Sequence, residues 1–289
     1  MNWRQWRIKK LLVKLWVLNS ERLINHTSWS VRLKTRNYNF DLVYQNYAPE
    51  ETSNANVGAG PYFSRKHWVA VDFLPGFKDG HDNSLIHHDL GLNPDNLPIR
   101  NQRNIYTSHT LEHFEISVAA RLLKAMNESV RPGGRVRAVV PDAGYVLDNY
   151  REGTLGGLEY FESAFGRHTP SPEDYVFFIL AANCSRVLYA KLNPKYDHSI
   201  YEEFKKRIQV SNNDEICMWL NSLPSSQDDT GSLHLSCFTS SLLMEMFKTA
   251  GFTDVYQSGF MKSKSAEMRQ VPLFDGTHPW LSLYVEGKK

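Results

Sequence analysis

The chain has 289 residues, of which 42% are hydrophobic and 22% are charged, so it can bury the core of a large domain without covalent cross-links. A formal net charge of +2 gives no electrostatic reason to expect a nucleic-acid partner. No stretch reaches the roughly 18 consecutive apolar residues of a membrane-spanning helix, and no signal-peptide cleavage pattern follows the first apolar run. With 3 widely spaced cysteines, the simplest location is the reducing cytoplasm.

Residues 1–24 are expected to form a basic amphipathic helix at the amino terminus. The first 18 residues carry basic but no acidic side chains, apolar residues at helical spacing, and tryptophans. Such a helix can lie on an anionic membrane, here the inner face of the cytoplasmic membrane. It can equally pack on the protein's own surface or against a second subunit, and both interpretations stay open.

Residues 50–142 alternate short strands with turns and a helix. Strands are predicted over 55–58, 68–72, 85–90, 104–108 and 135–140. Between the last two, apolar residues at Val118, Leu122, Met126 and Val130 mark one face of a helix. The run Arg131-Pro132-Gly133-Gly134 is expected to stop that helix, since proline cannot continue it and glycine tolerates a left-handed exit. This alternation predicts a parallel sheet with its ligand at the carboxyl ends of the strands.

Residues 143–235 interrupt this alternation and are predicted to be a mainly helical insertion that caps the ligand edge and contributes to binding the substrate. Residues 236–289 are then expected to complete the core. They contain a helix that starts at Ser240 and ends at Gly251, followed by strands over 252–257 and 281–286.

A glycine turn and an aspartate carry the first functional signal. Gly58 and Gly60 follow a strand, where glycine lets the backbone approach a ligand closely. Asp72 ends the next strand, where a carboxylate can accept hydrogen bonds from ribose hydroxyls. This arrangement indicates an adenosyl ligand but no particular reaction. Asp72 and Asp89 can also be interpreted as caps of following helices.

A longer series of motifs is more specific. In order they are Val57-Gly58-Ala59-Gly60, Trp68-Val69-Ala70-Val71-Asp72, His88-Asp89-Leu90, Ser108-His109-Thr110-Leu111-Glu112-His113, Arg131-Pro132-Gly133-Gly134 and Val140-Pro141-Asp142. Over residues 53–142 and 234–289 the chain resembles the class I S-adenosylmethionine-dependent methyltransferases related to the type 11 group, including a branch associated with surface-polysaccharide synthesis. The resemblance implies an α/β fold with a Rossmann-like methyltransferase sheet, mostly parallel with an antiparallel last strand, plus the helical insertion.

The resemblance also implies which residues bind S-adenosylmethionine. Gly58 and Gly60 would line the methionine portion, Asp72 would hold the ribose, Asp89 would lie by the adenine, and Ser108 and His109 would border the methyl group. Asn56, Val57, Ala59, Phe73 and Leu90 are also expected to contact the cofactor. Two positions depart from the family pattern. Asn56 replaces the usual acidic residue before the first glycine, and Pro61 and Tyr62 stand where a third glycine is usual.

Histidines are the candidate catalytic groups, because imidazole accepts a proton near neutrality. His109 is the first candidate base and His113 the second, and His234 and Asp142 are expected to face the acceptor. His109 and His113 are four residues apart, but no third ligand is evident from their spacing, so no metal is expected.

The predicted activity is O-methylation of a sugar hydroxyl, on a cell-surface glycan or its lipid-linked precursor, with a glycan or small molecule as acceptor. One alternative is a nicotinamide-dependent sugar oxidoreductase, since the glycine turn and Asp72 suit either cofactor. The other is a non-catalytic protein that binds S-adenosylmethionine or serves as a membrane scaffold.

Overall fold

The computed structural model describes residues 54–60, 63, 65, 67–73, 85–180, 198–223, 234–270 and 273–289. Its strands are β1 (Asn54–Val57), β2 (Trp68–Asp72), β3 (Leu85–His87), β4 (Gln102–Ser108), β5 (Val130–Pro141), β6 (Thr253–Gln257) and β7 (Ser282–Lys288). They form one 7-stranded sheet in the order β3-β2-β1-β4-β5-β7-β6. Strands β1 to β5 pair in parallel, and β7 runs antiparallel to both β5 and β6.

The described helices are α1 (Ile116–Ser129), α2 (Ala143–Arg151), α3 (Pro172–Leu180), α4 (Ser199–Val210), α5 (Asn213–Asn221) and α6 (Ser240–Thr249). Short 3-10 helices span Leu111–His113, Leu158–Phe165 and Ala266–Met268. Among these described helices, none combines the length and the apolar character that a membrane crossing requires.

The strand order and directions confirm the predicted fold, a Rossmann-like methyltransferase sheet with an antiparallel last strand. From β1 the chain builds outward to β2 and β3, then returns to add β4 and β5 on the other side. The direction of winding therefore reverses between β1 and β4. In open α/β sheets, ligands bind at this switch point, beyond the carboxyl ends of the two strands.

Successive side chains of a strand point to opposite faces of the sheet, and each face packs against its own apolar layer. Ile105 and Ala138 pack with α1 and α6 on one face. Their neighbours Tyr106 and Val139 point to the other face, into an aromatic cluster that includes Phe274. Both layers are needed because a parallel strand in the middle of a sheet is buried on its two faces.

The helices α2 to α5 form a separate apolar cluster. Phe177 of α3 packs against Phe204 of α4 with ring centroids 4.7 Å apart, and Ile216 and Cys217 of α5 are buried in the same cluster. The described parts of residues 143–235 are thus mainly helical, as predicted, whereas the domain boundaries remain a prediction. The amino-terminal helix predicted over 1–24 lies outside the described residues.

The end of α1 differs from the sequence-based expectation. The helix stops at Ser129, and Val130 is already extended and pairs with Gln102 of β4. The next paired residues are Asn104 and Arg135, so residues 131–134 form a bulge inside β5. The proline and glycines therefore mark an irregularity within a strand, which begins five residues earlier than predicted.

Candidate active site

The glycine turn after β1 is hydrogen-bonded to Asp72, the aspartate that ends β2. The Gly60 N–H donates to Oδ2 of Asp72 at 2.6 Å, and the Phe73 N–H donates to Oδ1 at 2.7 Å. Gly58 and Gly60 both have a positive φ, at 72° and 68°, a conformation that glycine adopts without strain. The predicted cofactor residues 56–60, Asp72 and Phe73 therefore form one continuous structure.

Thr110 connects this turn to the end of β4. Its Oγ1 donates to the carbonyl oxygens of Ser108 at 3.1 Å and Gly58 at 3.3 Å. A Cβ atom on Gly58 would lie 2.2 Å from Oγ1 of Thr110, so no larger residue fits at position 58 without displacement. The two sides of the switch point are in direct contact here.

His109 has a left-handed backbone, with φ of 50°, which turns the chain sharply at the end of β4. Both ring nitrogens have protein neighbours. Nδ1 lies 3.1 Å from Oε1 of Glu112, and Nε2 lies 2.9 Å from Oγ of Ser282 at the start of β7. Because a general base needs a nitrogen lone pair that faces the substrate, this geometry favours a positioning role for His109 over the predicted role as first base.

Glu112 is the central buried charge of this edge, with only 1% of its side chain exposed. Burial by itself raises the pKa of a carboxyl, but the hydrogen bond and charge of His109, together with His234 and His113, hold the pKa of Glu112 below its ordinary value. The carboxylate is therefore kept ionised by the histidines around it.

The segment that returns from the helical insertion brings His234 to this carboxylate. The backbone N–H groups of Leu235 and Ser236 both donate to the carbonyl oxygen of Glu112, at 2.6 and 3.1 Å. The rings of His234 and His113 have centroids 5.1 Å apart. Burial lowers the pKa of His234, although the nearby Glu112 carboxylate opposes this effect.

Two predicted site residues have capping roles. Oδ1 of Asp142 accepts from the backbone N–H of Tyr145 at 3.0 Å and caps the amino terminus of α2. Oδ1 of Asp89 accepts from the N–H groups of Gly91 and Leu92, both at 2.9 Å. A capping role was one of the two interpretations for Asp89, whereas the cap formed by Asp142 was not predicted. The proposed contacts of Asp142 with the acceptor and of Asp89 with adenine stay predictions.

Glu112 and Ser282 were not among the predicted site residues. Glu112 lies in the motif His109-Thr110-Leu111-Glu112-His113. A carboxylate flanked by histidines just after a strand is typical of a functional site, and this pattern predicts a role for Glu112. Ser282 carries no local signal, because its contact with His109 exists only once β7 has inserted beside β5.

A cavity of about 520 Å³ lies at the opposite edge of the sheet. Arg103 near the start of β4, Arg135 after the β5 bulge and Glu267 contribute to its lining. Because ligands of such sheets bind beyond the carboxyl ends, this cavity is separate from the candidate active site.

No model of a known protein family matches the chain, and no curated protein matches its sequence significantly. Solved structures resemble it in fold. An S-adenosylmethionine-dependent methyltransferase from Mesorhizobium loti has 17% identity and a TM-score of 0.40, over 83% of this chain and 93% of that one. One from Archaeoglobus fulgidus has 13% identity and a TM-score of 0.38, over 86% and 91%.

A protein from Nostoc punctiforme, assigned provisionally as an O-methyltransferase, has 11% identity and a TM-score of 0.38, and the alignment covers 86% of this chain but only 55% of that one. At these identities and TM-scores the likeness concerns the fold alone. The fold assignment therefore depends on the strand order and directions described above.

Proposed function

We propose that this protein is an S-adenosylmethionine-dependent methyltransferase that methylates a sugar hydroxyl, on a cell-surface glycan or its lipid-linked precursor. The observation that carries the proposal is the glycine turn of residues 58–60, hydrogen-bonded to Asp72 at the switch point of a sheet whose β7 is antiparallel. The inserted antiparallel strand disfavours a nicotinamide-dependent oxidoreductase, because the usual dinucleotide-binding sheet has the order 3-2-1-4-5-6 without it.

The residues around the turn fit such a cofactor. Within the described part of the chain, Oδ1 of Asn56 is buried and has no hydrogen-bond partner, so it is suited to accept from the ammonium group of the methionine portion. The Cβ side of Gly60 is open, with nothing within 4 Å. Each carboxylate oxygen of Asp72 accepts one backbone N–H and keeps a further lone pair for a ribose hydroxyl.

When bound, the cofactor supplies a methyl group that its sulfonium already activates. The protein's own residues then have to bind it, align the acceptor and remove the hydroxyl proton. Asp72 orients the ribose, and the turn at Gly58 lets the backbone approach the amino-acid end. Ser108 and His109, at the end of β4, border the position where the acceptor meets the methyl group.

Proton removal is assigned to the histidines around Glu112. Both ring nitrogens of His109 already contact Glu112 and Ser282. His113 and His234, whose rings lie side by side next to Glu112, are therefore assigned to serve the acceptor. A buried carboxylate beside them stabilises an imidazolium once it has taken the proton. The sugar acceptor is supported by the resemblance described above. It is also supported by the basic amino-terminal residues 1–18, called the basic arm, which could bring the protein to a lipid-linked substrate.

Calorimetric titration tests the cofactor. We expect S-adenosylmethionine and S-adenosylhomocysteine to bind, and Asp72→Asn to weaken binding about tenfold or more, since a hydrogen bond to a charged group contributes about 1.5–3 kcal/mol. Asp95→Asn is the matched control, because Asp95 is an exposed carboxylate paired with Arg121. Absence of binding, or a preference for a nicotinamide dinucleotide, would overturn the proposal.

Transfer of a radiolabelled methyl group to nucleotide sugars, free sugars and lipid-linked glycans tests the reaction. A sugar methyl ether keeps its label in mild alkali, whereas a methyl ester of a carboxylate releases it as methanol. Alkali-stable label in the sugar is the expected result. Label in protein or in an aromatic acceptor would reject the sugar, and binding without any transfer would indicate the non-catalytic alternative.

A further inference from the structure

Three side chains at the carboxyl edge of the sheet have the composition of a metal site. Glu112, His113 and His234 each present a ligand atom, and these atoms all lie within 4.8 Å of one another. The first two belong to the 3-10 helix after β4, and the third precedes the last part of the core. One carboxylate and two imidazoles are the protein ligands of many catalytic zinc sites, which keep a further position open.

The two segments are fixed together by their backbones. The carbonyl oxygen of Glu112 accepts from the N–H groups of Leu235 and Ser236, and Oγ of Ser236 donates to the carbonyl oxygen of Leu111 at 3.4 Å. The ligands are therefore held close before any ion binds. Metal–ligand bonds of about 2.0–2.2 Å require only a modest inward movement of the side chains from the observed spacing.

Neighbouring groups orient the ligands in the way that metal sites usually require. Nδ1 of His234 lies 3.5 Å from the carbonyl oxygen of Ile179, so a proton on Nδ1 leaves Nε2 free to bind an ion. Both carboxylate oxygens of Glu112 are buried without a well-aligned hydrogen-bond donor among the described residues, and Oε1 lies 3.1 Å from Nδ1 of His109. Supporting contacts of this kind fix the tautomer and the direction of metal-binding side chains.

We propose that Glu112, His113 and His234 bind a divalent transition-metal ion, with His109 as a positioning residue behind Glu112. Buried Glu112 supplies the negative charge, while half-buried His113 and His234 leave a route to solvent. Imidazole nitrogens select zinc, iron or nickel over magnesium and calcium, which prefer oxygen ligands. With an ion bound, His113 and His234 would be ligands instead of bases. The open coordination position would then hold the acceptor hydroxyl, and the ion would lower the pKa of that hydroxyl. This role rests on the proposed function, whereas binding of the ion does not.

Cobalt is a suitable probe, because the visible absorption of Co²⁺ reports its coordination. After treatment with a chelator, the full-length chain should bind a single equivalent of Co²⁺, and Zn²⁺ should displace it. His234→Ala and Glu112→Gln should each weaken the affinity about 100-fold or more, and His109→Ala about 10- to 100-fold. His168→Gln is the matched control, since His168 also pairs with a carboxylate, Asp174 at 3.0 Å.

Absence of a Co²⁺ spectrum, or affinity unchanged in His234→Ala, would overturn the proposal. Should a variant fail to fold, X-ray absorption of the Zn²⁺-loaded wild-type protein tests the same ligand set. Two imidazoles and a carboxylate oxygen are expected around the ion, and any other set of protein ligands would contradict the proposal. S-adenosylhomocysteine binding is measured in the same samples. Retained binding of that ligand with no metal rejects only the metal site, and metal binding without it rejects only the proposed function.

Discussion

Gly58 and Thr110 meet so closely across the switch point that a Cβ atom on Gly58 would lie 2.2 Å from Thr110 Oγ1. Gly58 begins the turn after β1, and Thr110 follows the end of β4. Because both belong to the candidate active site, this contact connects the cofactor side of the site to the histidines.

Gly58→Ala should therefore destabilise the fold more than an ordinary glycine substitution. A positive φ costs an alanine about 1–2 kcal/mol, and overpacking adds about 1–3 kcal/mol. Gly153→Ala is the control, because Gly153 has φ of 71° and a Cβ atom added there would have nothing within 4 Å. Urea denaturation measures both, and equal losses would show that the contact with Thr110 is unimportant. Adding Thr110→Ala to Gly58→Ala should recover part of the loss.

Arg137 and Asp275 form a buried ion pair that should contribute strongly to folding. The Arg137 side chain is 0% exposed, and its guanidinium donates to both oxygens of Asp275, at 3.0 and 2.6 Å. Arg137→Met leaves that carboxylate buried without its partner, which costs about 3–5 kcal/mol. Arg121→Met, at the exposed pair with Asp95, should leave the free energy of unfolding almost unchanged, because solvent screens an exposed ion pair. Similar unfolding midpoints for the two variants would contradict this expectation.

The cap of α2 should make stability depend on pH. Burial raises the pKa of Asp142, although the N–H groups of Tyr145 and Gly144 oppose the shift. The native state therefore holds the proton more tightly than the unfolded state, whose value is about 3.9. The stabilisation from this proton is present below the unfolded pKa and is lost as pH rises through the higher folded pKa.

Asp142→Asn keeps a capping oxygen but cannot ionise. Its free energy of unfolding should rise relative to the wild type over that pH window and level off above it, as measured by urea denaturation at several pH values. Asp142→Ala removes the cap and should cost about 1 kcal/mol above the window. If Asp142→Asn differs from wild type by a constant amount at every pH, the buried carboxyl does not titrate as described.

Flotation with vesicles distinguishes the two interpretations of the basic arm, contact with an anionic membrane or packing against protein. If the arm contacts the membrane, full-length protein should float with vesicles that contain anionic lipid but not with neutral vesicles, and a variant that lacks residues 1–18 should not float with either. The charge dependence follows from the basic residues of that segment. Equal flotation of the two proteins with anionic vesicles would remove membrane contact as the role of the arm and leave packing against protein.

The glycine turn and the acidic strand end that are proposed to bind the cofactor could be predicted as local structure, because their signals are local. Gly58, Gly60 and Asp72 stand at the ends of short apolar strands, and the positive φ of the glycines is a property that the residue type permits. The bulge at residues 131–134 could not be predicted in the same way. Proline followed by glycine is typical of a helix stop, and only the pairing of Val130 with Gln102 shows that the strand has already begun.

Local signals were sufficient to predict most of the described strands and helices, the glycine turn and the acidic strand end, since hydrophobic periodicity and glycine conformation act over a few residues. The surroundings of the histidines depend instead on how distant segments fold together. His234 is 121 residues beyond His113 in the chain, and backbone hydrogen bonds to Glu112 bring it there. Burial of the Glu112 carboxylate then requires the histidines around it, because a buried charge is stable only when oppositely charged or hydrogen-bonding groups surround it.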